Sequence, residues 1–136
     1  MLYYKNWVFY ALMTLRKSLE RETVVELIKS ANLALRFLLE LCALAALAYW
    51  GFQTGRGLIV KIGLGIGAPL LAAVVWATLV APNAAVRLPG LVPFVLGLVI
   101  LWLAAAALAA AGHPSLAVVF GVIVVINATL MLVWGQ

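Results

Sequence analysis

Asn32, Arg36 and Glu40 are the residues on which chemistry could rest, and they stand in ANLALRFLLELCALAALAYW, a stretch otherwise apolar enough to cross a bilayer. With Lys29 they are spaced three and four apart, which puts them on one face of a helix. A carboxylate four residues from an arginine can pair with it. In hydrocarbon each charge needs such a partner, because an ionised side chain at the centre of a spanning helix costs about 3 kcal/mol on insertion scales. At ~1.5 Å per residue, Arg36 lies ~7 Å into a span that starts at residue 31, and Glu40 ~13 Å, close to the midplane. The arginine can extend towards the interface from that depth, whereas the shorter glutamate cannot. Arg before Glu is the weaker order in an isolated helix, but in a low-dielectric bundle closeness matters more. Asn127, in the last apolar run, falls ~10 Å from the cytoplasmic boundary by the same rise. Asn32, Arg36, Glu40 and Asn127 are therefore expected to form one polar cluster between the first and fourth spans.

Such a cluster has two uses. It can be an internal clasp, an ion pair and two amides that set the register of two helices; hydrogen bonds of this kind contribute roughly 0.6 kcal/mol each, so they specify more than they stabilise. Alternatively, Glu40 is a protonatable group for an ion or substrate. A carboxylate already neutralised by arginine is a poor proton carrier, which favours the clasp.

The remaining polar residues offer less. His113 is the only histidine, in GHPS, without cysteine or acidic neighbours, so no metal or haem site is expected. There is no Ser-His-Asp set, no paired carboxylates and no HExxH, so no enzyme chemistry and no cofactor are expected. Cys42 is the single cysteine, which excludes a disulfide within the chain and a dithiol redox pair. KIGLGIGAP superficially resembles a phosphate loop, but no strand precedes it and no GKS or GKT follows. Gly63 and Gly67 instead make a small-xxx-small pair that lets another helix approach closely. Pro69 removes a backbone donor and leaves the Gly65 carbonyl to Arg36, to water or to a kink. In functional terms it would mark an unwound helix of the kind found in transporters.

The elements that position these residues follow from composition. Of 136 residues, 68% are hydrophobic and 10% charged, and the mean hydropathy is +1.21. A soluble domain has about half apolar and a quarter charged residues, so the bilayer is the solvent. Runs of about 20 apolar residues cross its hydrocarbon core as helices, and four are present, at about 31–51, 58–80, 91–111 and 116–134. The connections GFQTGRG, APNAAVRLPG and GHPS are short and carry Gly or Pro. Short loops make successive helices antiparallel neighbours. The expected fold is all-α, an integral membrane up-down-up-down four-helix bundle over residues 31–136. Strands are excluded, since four cannot close a barrel in lipid. The alanine-rich LWLAAAALAAAG should pack tightly against a neighbouring helix or a second protomer.

Residues 1–30 differ. NWVFYALMTL is too short to span and is followed by Arg16 and Lys17 without a small-residue cleavage site, so neither a span nor a secretory signal is expected. An N-terminal amphipathic extension lying in the interface fits better. Thr23 and Glu26 offer a capping box for a helix starting near Val24. The formal net charge of +5 shows no basic face with interleaved aromatics, so nucleic acid is not an expected partner. It reports orientation instead. Lys5, Arg16, Lys17, Arg21, Lys29 and Arg87 fall on one side and only Arg56 and Lys61 on the other, placing both termini on the cytoplasmic side. Tyr49, Trp50, Trp76 and Trp134 sit near the expected interfaces.

Through NLALRFLLEL, YWGF, KIGLGIGAPLLAAVVW, VAPNAAVRLP and the closing IN…VWGQ, residues 31–136 resemble the YrdB-like family of small bacterial four-helix membrane proteins. The first thirty residues look like an addition to that core. Asn83 and Ala85 stand where such proteins tend to be more basic. The resemblance implies an architecture and no activity. Two functions are thus carried forward. One is a non-enzymatic structural or accessory membrane protein. The other is a small ion- or proton-coupled transporter or channel, a homodimer using Glu40 much as small multidrug-resistance exporters place a glutamate in their first span. On the orientation above, a reporter active only in the cytoplasm is expected to work when fused behind Gln136 and to fail when inserted at His113.

Overall fold

The structure is a computed structural model that describes the backbone of Leu2–Gln136 and side chains from Asn6 onwards; Met1 and the side chain of Lys5 lie outside the described residues. The chain is helical, in the order α1 (Leu2–Thr54), α2 (Leu58–Val75), a π-helical turn (Trp76–Val80), α3 (Val92–Ala110) and α4 (Pro114–Trp134). Four of these helical stretches are long and apolar enough to cross a membrane. Two compact units are distinguished, up to Ala34 and Leu35–Gln136.

In the N-terminal unit, the described side chains from Asn6 to Ile28 are exposed. Val8, Leu12, Leu15 and Leu19 recur at helical spacing on one face, with Lys17 and Arg21 opposite. Arg16 pairs with Glu20 at 2.9 Å and Lys29 with Glu26 at 3.4 Å. The expected helix start near Val24 is not found. Thr23 lies inside α1, and its hydroxyl donates to the Leu19 carbonyl at 2.9 Å instead of capping an amide. A capping box needs non-helical backbone at its first residue, and here the helix is already running.

The second unit owes its core to α1, α3 and α4. Leu39, Ala43 and Ala46 recur on one face of α1 and are buried in a cluster with Leu101, Ala104 and Ala105 of α3 and Phe120 and Val124 of α4. In lipid, close packing rather than expulsion of water holds helices together, and the alanines of α3 serve that purpose within this chain. Gly112, at φ 91°, ends α3 with the His113 amide bonded to the Leu108 carbonyl at 3.0 Å, a left-handed helix stop that suits glycine. Tyr49 and His113 meet at 3.1 Å, tying the end of α1 to the α3–α4 turn.

Helix α2 is peripheral, with Gly65 its only buried residue. Its close approach to α1 runs through glycines other than the expected pair. A Cβ on Gly51 would overlap the backbone of Leu64 and Gly65, and one on Gly65 would strike the Phe52 ring. Around Gly63 and Gly67 there is open space. The spacing was correct for a shared face, but that face points away from the bundle. Nor does Pro69 interrupt the helix: α2 continues through it, and the departure from α-geometry comes at Trp76–Val80. There the Ala81 amide bonds the Trp76 carbonyl at 2.8 Å, the i to i+5 pattern of a π-turn. Gly51→Ala and Gly65→Ala are therefore expected to destabilise the chain by about 1–3 kcal/mol in thermal unfolding in nanodiscs. Gly63→Ala and Gly67→Ala should change it by less than about 1 kcal/mol.

Candidate functional site

Arg36 and Glu40 stand one turn apart on α1, and their side chains meet: the Arg36 Nε donates to Glu40 Oε1 at 3.0 Å. The spacing does the work, because residues four apart stack on one face. The Arg36 side chain is 9% exposed and that of Glu40 17%. A guanidinium needs space as well as charge, and α3 supplies it. A Cβ on Gly97 would stand 2.5 Å from Arg36 Nη2 and 3.2 Å from Val80 Cγ1. A side chain at position 97 would make the end of the guanidinium shift. Phe94, one turn before Gly97, puts its ring centroid 5.9 Å from Arg36 Cζ, within the range of a cation–π contact. Arg36 Nη1 is buried with no hydrogen-bond partner among the described residues.

Asn127 contributes from α4. It is fully buried, on the face that also buries Phe120, Val124 and Ala128. Val124 shares the core cluster with Leu39. Because α1 and α4 run in opposite directions, Asn127 lies one turn from Val124 towards the end at which Arg36 lies one turn from Leu39 and Glu40. Asn32 is buried but belongs to the N-terminal unit. Of the residues expected to matter, Gly63, Gly67 and Pro69 take no part.

Next to the pair is a cavity of about 280 Å³, walled by α1, α2 and α3. Phe37, Leu41, Leu44 and Ile100 make most of it apolar, and Glu40 is its single charged residue. Trp76 forms part of the wall, and its Nε1 is buried with no hydrogen-bond partner among the described residues. The sequence reading placed Trp76 at the interface, but its indole nitrogen is turned into protein. The signal for it was faint: a tryptophan some residues short of the end of a span, with no polar neighbour in sequence to bond. A second cavity of about 520 Å³ opens higher between α2 and α3, lined by residues such as Leu47, Leu71, Val75, Leu96 and Leu103, none of them charged. Ala72 and Ile100 border both spaces.

The arrangement can hold a paired charge in an apolar bundle, with Glu40 and Trp76 among the residues that border a partly open, mostly apolar space. No group of three or more His, Cys, Asp or Glu that could hold a metal is found among the described residues.

Comparison with known proteins gives a family and no activity. None of the curated proteins matches the chain, and none of the solved structures does. A family model described as "Protein of unknown function (DUF2568)" matches residues 34–126, which takes in Arg36, Glu40, Gly97 and both cavities. A match over about two thirds of the chain makes this a multi-pass helical member of the DUF2568 family.

Proposed function

We propose that the chain is a non-enzymatic structural or accessory protein of the bacterial cytoplasmic membrane, related to the YrdB-like proteins. Both termini are cytoplasmic, and a polar cluster of Arg36, Glu40 and Asn127 clasps its first and fourth helices. The reading is carried by the 3.0 Å ion pair, most of whose surface is removed from solvent. Orientation rests on the excess of Lys and Arg before residue 31 and at Arg87. Two charges in low dielectric repay their desolvation only when they are close and further bonded. Here Gly97 leaves room beside the guanidinium and Phe94 faces the cation.

A second reading is a proton- or ion-coupled transporter or channel, assembled as a homodimer. One observation favours it: the Glu40 side chain also borders a cavity. Here Glu40 would exchange partners during transport, whereas the clasp keeps it with Arg36.

The clasp makes a definite energetic prediction. Arg36→Ala leaves a carboxylate in hydrocarbon and should cost about 3–5 kcal/mol, read as thermal stability in nanodiscs. The Arg36→Ala, Glu40→Ala double variant should recover at least about 1 kcal/mol of that loss. Equal damage in the single and double variants argues against pairing. Reconstituted in liposomes, Glu40→Gln should lower the unfolding midpoint without altering any proton or cation flux. A pH-dependent flux that Glu40→Gln abolishes would transfer the assignment to the transporter.

A further inference from the structure

We infer that the segment from Asn6 to Arg21 docks on an anionic lipid surface. Val8, Leu12, Leu15 and Leu19 enter the acyl boundary, and Lys17 and Arg21 stay above the phosphates. With the N-terminus cytoplasmic, as proposed above, that surface is the inner leaflet.

The docking face has a definite end. Val8, Leu12, Leu15 and Leu19 are spaced four, three and four apart and are all exposed, which makes one stripe on the helix. The same spacing runs on, by three and then four, to the exposed carboxylates of Glu22 and Glu26. Val24 and Ile28 lie roughly half a turn round the helix from Leu19. A flat apolar surface can therefore cover the stripe as far as Leu19, and beyond it would have to take up carboxylates.

Charge selects the kind of surface. Residues 6–21 contain three basic residues and one acidic. Arg16 is paired with Glu20 at 2.9 Å. Lys17 and Arg21, on the side away from the stripe, are in no ion pair among the described residues. A helix ~10 Å across holds them within about one Debye length of the phosphates beneath it. Cations on the polar face are what draw an interfacial helix to anionic lipid.

Two observations weigh against a second copy of the chain as the cover. Paired in parallel through this stripe, two copies would share about two heptads, fewer than the three or four a coiled coil sustains. Beyond them Glu22 and Glu26 would meet their own counterparts across the seam. Aromatic placement points the same way. Trp7 and Phe9 project to either side of the stripe, about a quarter turn from it, and both are more than half exposed. A helix lying in the interface puts them at headgroup depth, where aromatic rings gather. A two-chain coil leaves Trp7 in water.

The test uses the full chain in vesicles of phosphatidylcholine with increasing shares of phosphatidylglycerol. Both leaflets are alike, so the outcome does not depend on which way the chain inserts, which the reporter fusions decide. In a Cys42→Ser background a dye is attached at Leu15→Cys, on the stripe, or at Thr14→Cys, turned away from it, and is quenched from water with acrylamide. With anionic lipid present, position 15 is expected to be shielded at least about 5-fold better than position 14. Lys17→Gln combined with Arg21→Gln should raise the share of phosphatidylglycerol needed for half-shielding at least about 2-fold. Equal quenching at the two positions overturns the proposal. So does shielding that is as strong in phosphatidylcholine alone, or that is unchanged in the charge variant. Shielding that grows with the number of chains per vesicle and not with phosphatidylglycerol gives the stripe to a second copy, and overturns it too.

Discussion

The Arg36 guanidinium and the Glu40 carboxylate meet at 3.0 Å on successive turns of α1, in a bundle whose other surfaces are hydrocarbon. Either charge by itself would be expensive there. Together they present a dipole, and a dipole can be accommodated by local geometry. That geometry is visible on α3, where Gly97 has no side chain to compete with the guanidinium and Phe94 offers its ring. On α4, Asn127 is the one polar residue among the buried Phe120, Gly121, Val124 and Ala128.

The same constraint explains the uneven packing of the second unit. Helices α1, α3 and α4 share the core cluster, whereas α2 buries only Gly65. Helix α2 is held at its start by the Gly51–Gly65 approach and at its end by Val80 near Gly97. Between these two points it stands off α3, and the two cavities lie there. An element with few buried contacts is the natural place for local opening. The π-turn at Trp76–Val80 lies on that element, directly beside Glu40's cavity. Helices α1, α3 and α4 thus make the tightly packed side of the unit and α2 the loosely packed one.

Much of this was legible in the sequence, for identifiable reasons. Span limits were readable because apolar runs end at Gly, Pro and charge, and three of the four ranges fall within a few residues of α2 with its π-turn, α3 and α4. The Arg36–Glu40 pair was readable because it is local: i and i+4 meet on any helix. What depends on tertiary structure was not readable. Gly63 and Gly67 have the right spacing for helix contact, but spacing does not say which face turns inwards, and the contact belongs to Gly51 and Gly65. Gly97 looks like any membrane glycine until an arginine from another helix lies across it. Pro69 has the strongest local signature for a break, yet the helix runs through it and the irregular turn begins seven residues later. Thr23 and Glu26 match a cap only if the preceding residues are not already helical, and they are.

All of this rests on an ion pair between Arg36 and Glu40, whose side chains are mostly covered. The most direct measurement is infrared spectroscopy of the chain in nanodiscs at neutral pH, with the Glu40 band assigned by difference against Glu40→Gln. The other acidic residues, Glu20, Glu22 and Glu26, all precede residue 30 and cancel in that difference. An ionised carboxylate stretch that gives way to a carboxylic-acid stretch in Arg36→Ala is the expected result. A carboxylic-acid band in the unmodified chain, unchanged by loss of the arginine, would contradict the pairing of charges on which the clasp depends.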